Sequence, residues 1–206
     1  MNKYRYLVLL ILSMGVTCGF NWGFSPTDSC TKAKVLAQAL AGLSGEKQTK
    51  QEERILKLCP DGAAGHFVLG LRHERQGESD EAIGEYRAAI ENDETLAEAH
   101  GNLGLLLLDK GAGDEAAVEL TRGLMGKADP RYHRGLAELL LEGKIYGLAR
   151  YHFREALKAI PQDVSIHAGL ADVYYNLNRL AEAEDEFKTV LAADPPRVSA
   201  HLGLAD

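Results

Sequence analysis

Residues 63–96, AAGHFVLGLRHERQGESDEAIGEYRAAIENDETL, form a unit that the rest of the chain copies. Its marks are Leu69-Gly70, Gly77, Ala82, Tyr86 and Ala89-Ile90. They return as Leu103-Gly104, Gly111, Ala116, Leu120 and Gly123-Leu124, then as Leu136-Ala137, Ala149, Phe153 and Ala156-Leu157, then as Leu170-Ala171, Ala183, Phe187 and Val190-Leu191. Histidine keeps the same time: His66, His100, His133, His167 and His201 are separated by steps of 34, 33, 34 and 34 residues. A fixed period of this length is the mark of a repeat array, in which each unit buries its apolar side against the next. The units run 63–96, 97–129, 130–163 and 164–197, and residues 198–206 begin a further one that is cut short.

Inside a unit the pattern predicts two helices. The first runs over about 64–76 and is broken by Gly77, which takes a left-handed conformation at little steric cost. Asp80-Glu81 then open the second helix, where carboxylates meet unpaired amides and the positive end of the dipole. Lys110-Gly111 and Asp114-Glu115 repeat the device. Gly70, Gly104, Ala137 and Ala171 on first helices are expected to face Ala82, Ala116, Ala149 and Ala183 on second helices, so that the axes come close. The third unit departs: Gly143 arrives one place early, and the array is expected to be least regular over 125–148. Pro161 and Pro195-Pro196 mark unit ends, since proline cannot continue a helix.

This period and its small and large marks resemble the tetratricopeptide repeat family over residues 63–206. The resemblance implies an all-α, right-handed solenoid of antiparallel helix pairs whose usual work is to hold protein partners. It also implies an inner, concave face built from first helices. Carried onto this sequence, that face contains Phe67, Leu71 and Arg75, then Asn102, Leu105 and Asp109, then Arg134, Glu138 and Glu142, then Asp172, Tyr175 and Asn176. The family form that clamps a peptide's C-terminal carboxylate uses Lys and Asn at matching places, where this chain has Phe67 and Leu71, so that activity is not expected.

Hydrophobic residues make up 46% of the chain and charged ones 26%, an ordinary mix for a folded protein. The net charge of −7 becomes −9 if Lys3 and Arg5 leave with a leader, and no basic cluster offsets it, so nucleic acid is set aside as a partner. Residues 1–24 read as an export signal: Lys3 and Arg5 precede Leu7-Val8-Leu9-Leu10-Ile11-Leu12, and cleavage after Gly19 would put Thr17 and Gly19 at the small-residue positions. Retention as an N-terminal membrane anchor and lipidation at Cys18 are the two other readings. All three carry the repeats out of the cytoplasm, to a periplasmic or extracellular location.

Residues 25–62 fit a degenerate helix pair, about 30–43 and 46–59, turned at Ser44-Gly45. Antiparallel helices of equal length bring Cys30 and Cys59 to the same end, within the roughly 7 Å between Cα atoms that a bridge needs. Export favours a disulfide there over two reduced core thiols.

No catalytic motif of the nucleophile-elbow, zinc-protease or phosphate-loop kind is present, so no enzyme and no cofactor is expected. The histidine row is not expected to hold a metal, because equivalent places in stacked units stand about 8–10 Å apart, too far to share one ion. A packing role is the simpler reading. What is left is a scaffold for a protein or peptide outside the cytoplasm, in an envelope assembly, or else the regulatory or targeting repeats of a larger envelope protein or enzyme.

Overall fold

The computed structural model describes residues 26–193. Ten α-helices follow one another: α1 (Pro26–Gln38), α2 (Gly45–Leu58), α3 (Ala63–Gln76), α4 (Ser79–Asn92), α5 (Ala97–Asp109), α6 (Gly113–Gly126), α7 (Pro130–Glu142), α8 (Tyr146–Ala159), α9 (Val164–Asn176) and α10 (Leu180–Ala193). A 3-10 turn, Leu40–Gly42, precedes α2. The readings of the leader, of Cys18, of Pro195-Pro196 and of the unit beginning at Val198 lie outside the described residues. Among the described residues no helix is long and apolar enough to cross a membrane.

Each odd helix packs on the even one that follows, and each even helix packs on the next odd one, so neighbouring hairpins share their apolar sides as an α-solenoid does. First helices also touch across hairpins, α1 with α3, α5 with α7 and α7 with α9. The buried residues run as a column. One cluster extends from Ala33 to Ala116, a second joins Leu120, Tyr132 and Leu136, and a third extends from Ala137 to Ala183. Leu103 and Leu136 both point into it.

The turns inside the hairpins explain the register. Gly77 and Gly111 have φ of 79° and 76°, and the same place is filled by Lys144 at 60° and Asn178 at 58°. Gly143, which arrives early in sequence, has φ −70° and simply ends α7. The left-handed place therefore falls at regular steps through the third unit, with a lysine accepting a conformation that costs an L-residue about 1 kcal/mol. Asp129 and Asp163 cap α7 and α9, accepting from the amides of Arg131 and of Ser165 and Ile166.

One expectation needs correction, and one gains a reason. Gly70 and Gly104 are small because large side chains of the second helix press on them: a Cβ on Gly70 would fall 2.5 Å from Cε1 of Tyr86, and one on Gly104 2.8 Å from Cγ of Leu120. The correction concerns the first hairpin, which starts earlier, with α1 opening at Pro26 and giving way to the 3-10 turn at Leu40, so Cys30 sits in the second turn of α1. It still bonds Cys59, just after α2, across a Cα–Cα distance of 5.0 Å.

The histidine row has a role that packing alone did not anticipate. His66, His100 and His167 each direct Nδ1 at a glutamate 19 residues on, Glu85, Glu119 and Glu186, at 2.8, 2.5 and 2.6 Å. Each pair ties the first helix of a hairpin to its second. In the α7–α8 hairpin the partner of His133 is His152, at 2.9 Å between Nδ1 atoms.

Candidate functional site

Residues from α1 to α7 line an open groove of about 520 Å³. Leu40 of the 3-10 turn and Phe67 and Leu71 of α3 supply its apolar floor, and Glu98 and Asn102 of α5 with Arg131 and Tyr132 of α7 supply its polar side. Phe67 and Asn102 are each 4% exposed, so they shape the groove from beneath. Leu71 is half-buried.

A hydrogen-bonded line stiffens this wall. The Tyr86 hydroxyl donates to Glu74 Oε2 at 2.7 Å and accepts from Asn102 Nδ2 at 3.4 Å. Asn102 Oδ1 in turn accepts from the Tyr132 hydroxyl at 2.9 Å and from Arg131 Nη2 at 3.5 Å. The line crosses α3, α4, α5 and α7. Burial, with Glu74 beside one ring and Asp129 near the other, pushes both phenols well above their ordinary range, so they remain donors. Burial also pushes Asp129 upward, but hydrogen bonds from the Arg131 guanidinium and amide outweigh it and hold the carboxylate ionised.

Arg75, expected to face a partner, is drawn to the buried carboxylate of Glu52. Glu52 Oε2 accepts from Arg75 Nη2 at 2.9 Å and from Arg72 Nε at 3.1 Å, and its Oε1 accepts from Gln48 at 3.1 Å. Burying this carboxylate without those partners would be costly. The pair of arginines thus anchors α3 to the disulfide-bonded hairpin.

Further along, Arg134 lies 3.6 Å from Glu138 Oε1 and 3.7 Å from Asp163 Oδ2. Its Nε is buried without a hydrogen bond. Burial raises the Glu138 carboxyl above its usual range, and Asp109 and Asp163 add to that against the pull of Arg134. Leu105 is half-buried against the cluster of Leu120, Tyr132 and Leu136. Glu142 and Asp172 are exposed, and Tyr175 is 64% exposed. Asn176 is engaged: it accepts from the Tyr146 hydroxyl at 3.1 Å and donates to the Asp172 carbonyl at 2.8 Å. The candidate residues therefore divide into supports, Phe67, Asn102 and Leu105, and outward groups, Leu71, Arg134, Glu138, Asp172 and Tyr175. Arg131 and Tyr132 were missed; the unit's third place, where Tyr132 stands, carries no recurring residue type in the other units to draw attention to it.

Among the described residues no group of three or more His, Cys, Asp or Glu is placed to hold a metal ion.

Models of the tetratricopeptide repeat match residues 52–97, 67–130 and 140–206, which takes in most of the chain, with the first, second and fourth full units whole and the third in part. The chain belongs to the tetratricopeptide repeat family. Its repeats support a protein-interaction scaffold. Cell division cycle protein 27 homolog A of Arabidopsis thaliana is 35% identical to this tetratricopeptide repeat chain over 117 residues, 57% of the chain. The match spans only 15% of that relative's length. Among solved structures, Pseudomonas aeruginosa pilF superposes with a TM-score of 0.59 at 20% identity, over 81% of this chain and 77% of that one. MamA gives 0.58 at 17% identity, over 87% and 98%. MamA from Desulfovibrio magneticus RS-1 gives 0.58 at 14%, over 84% and 98%. At such identities the likeness concerns the fold of the tetratricopeptide repeat array alone.

Proposed function

We propose that this array is a non-catalytic scaffold that holds an extended or helical segment of a partner protein along its concave face, outside the cytoplasm and within an envelope assembly. The observation that carries the reading is the open groove beside α3, α5 and α7, whose apolar floor and hydrogen-bonded wall are held in place before any partner arrives. A preset groove spends little binding energy on ordering itself. Leu71 offers apolar contact, and Arg134, Glu138 and Tyr175 offer polar and aromatic contact further along.

The Cys30–Cys59 bond supports the location, because such bonds persist in oxidising compartments. Residues 1–24 support it by their basic start and apolar run, with cleavage, retention as an anchor and lipidation at Cys18 as the routes.

The test is affinity capture with the chain as bait, beside a variant carrying Arg134→Ala and Tyr175→Ala. Partner recovery is expected to fall with the variant; undiminished capture moves the binding surface elsewhere. A second reading, that these are the targeting or regulatory repeats of a larger protein, is favoured by the short share of the Arabidopsis relative that they match.

A further inference from the structure

The second helices of the repeat units differ in the sign of their charge. α4 and α10 each set four carboxylates against one cation, and α6 sets three against one. α8 is the reverse: it has Arg150, Arg154 and Lys158 against Glu155 alone, and Lys144 stands just before it. Lys158 is paired with Glu155 at 2.7 Å. Lys144 and Arg154 are exposed and, among the described residues, form no ion pair.

The reason Arg154 is left over lies one hairpin on. On α4 the equivalent arginine, Arg87, reaches Glu115 in the first turn of α6 at 2.7 Å. Glu182 holds the place of Glu115 on α10, but it is taken by Arg179, three residues before it.

The same helix turns apolar side chains outward. Ile145, just before α8, is 50% exposed, and Leu148 and Tyr151 are 53% exposed each. Leu148 stands where α4, α6 and α10 have Glu81, Glu115 and Glu182, and Tyr151 where they have Gly84, Val118 and Asp185. Leu148, Tyr151 and Arg154 follow at steps of three, so they are neighbours on one side of the helix. The Tyr151 ring stands edge-on to His152, with 81° between the planes and 5.1 Å between centroids, an arrangement that favours one orientation of the ring before any contact is made. None of these residues lines the groove beside α3, α5 and α7.

An aromatic ring, aliphatic side chains and cations without carboxylate partners, gathered in one strip, form a docking surface. Charge selects its occupant. The strip is one helix wide, because Asp114 and Glu115 on the hairpin before it, and Glu184 and Asp185 on the hairpin after it, are exposed carboxylates. A broad anionic surface such as a membrane would meet those carboxylates as well, whereas a single helix laid along α8 meets the cations alone. We propose that the outward side of α8 binds an acidic amphipathic helix of a partner protein, whose apolar residues cover Leu148 and Tyr151 and whose carboxylates reach Lys144 and Arg154. This does not rest on the groove.

The experiment is fluorescence anisotropy of the full chain with a labelled helical peptide of leucine, alanine and glutamate, its leucines at alternate steps of three and four, beside the same peptide with lysine for glutamate. The acidic peptide is expected to bind at least about tenfold more tightly than the basic one, and salt at about 0.5 M to weaken it. Leu148→Glu with Tyr151→Asp, which installs what α6 and α10 carry at those places, should lower the affinity at least about tenfold with an unchanged thermal melt. Should that melt shift, Arg154→Glu, at a residue with no ion pair to lose, is expected to weaken binding in the same direction. Equal binding of the two peptides, or binding that survives the substitutions, overturns the proposal. So do two other results: phosphatidylglycerol vesicles that sediment the parent but not the double variant while the acidic peptide stays free, which makes the occupant a membrane, and a dimer in sedimentation that the double variant abolishes, which makes it a second copy.

Discussion

His133 Nδ1 lies 2.9 Å from His152 Nδ1, in the place where three other hairpins set a histidine against a glutamate. Burial lowers both groups; for His152 the neighbouring His133 adds to it, and for His133 Lys158 does, while Glu155 opposes in both and Asp129 opposes at His133. His167 shifts the other way: burial lowers it, but the Glu186 carboxylate and the Pro161 carbonyl, both acceptors, outweigh burial and favour the doubly protonated ring.

These opposite shifts fix the sign of a pH effect. The unfolded chain binds protons at His133 and His152 more readily than the folded one, so stability from this pair is present above about pH 6.5 and is lost as pH falls through the lowered folded values. A raised group such as His167 contributes most below about pH 6.5 and loses that contribution as pH rises through its folded value. His152→Glu is therefore expected to reduce the fall in melting temperature between pH 7.5 and 5.5. Equal falls in the parent and the variant would mean that the pair does not titrate with folding.

Glu119 is a harsher case, because its clasp is buried: the His100 side chain is 4% exposed and that of Glu119 10%. Both nitrogens of His100 face acceptors, Glu119 Oε2 and the Glu94 carbonyl. Glu119→Ala leaves one of them without a partner in the core, at a cost of about 1–3 kcal/mol. Glu85→Ala, in the more exposed clasp with His66, is expected to cost about 0–1 kcal/mol. Urea denaturation of the two variants compares them, and equal losses would remove burial as the cause.

The solenoid was legible because its marks are forced by backbone physics. Gly77 and Gly111 stand where φ is positive, and Cys30 and Cys59 stand at one end of a hairpin whichever turn joins it. The clasps were written at a constant 19-residue spacing, yet reading them requires knowing that those two places face each other across a hairpin. The line from Tyr86 through Asn102 to Tyr132 was hidden for a different reason: it depends on rotamers of three residues in three units and three helices, which no period encodes.

Lys144 pays for a turn that glycine makes freely. With φ at 60° and Gly143 beside it at −70°, exchanging the two residue types suits both positions. An alanine Cβ at 143 would meet its nearest atom, the Leu139 carbonyl oxygen, at 3.3 Å. Lys144→Gly is expected to stabilise the α7–α8 hairpin by about 1 kcal/mol, and Gly143→Ala to be close to neutral. Thermal melts decide it; a destabilised Lys144→Gly protein would show that the lysine makes a contact worth more than the strain.

Asn102 lines the groove from beneath and Tyr175 stands largely in solvent further along the array, and substituting each separates shape from contact. Asn102→Ala removes a buried donor to Tyr86 and a buried acceptor from Tyr132, although Tyr86 keeps Glu74 and Tyr132 keeps the Glu98 carbonyl at 3.4 Å. The expected loss is about 1–3 kcal/mol of stability, with a looser groove wall. Tyr175→Ala, at a ring that is largely in solvent, should change stability by no more than about 0.5 kcal/mol. Capture of a partner that falls with Tyr175→Ala at unchanged stability is then a lost contact. A fall confined to Asn102→Ala, and restored when the assay is run several degrees colder, traces recognition to the rigidity of the wall instead.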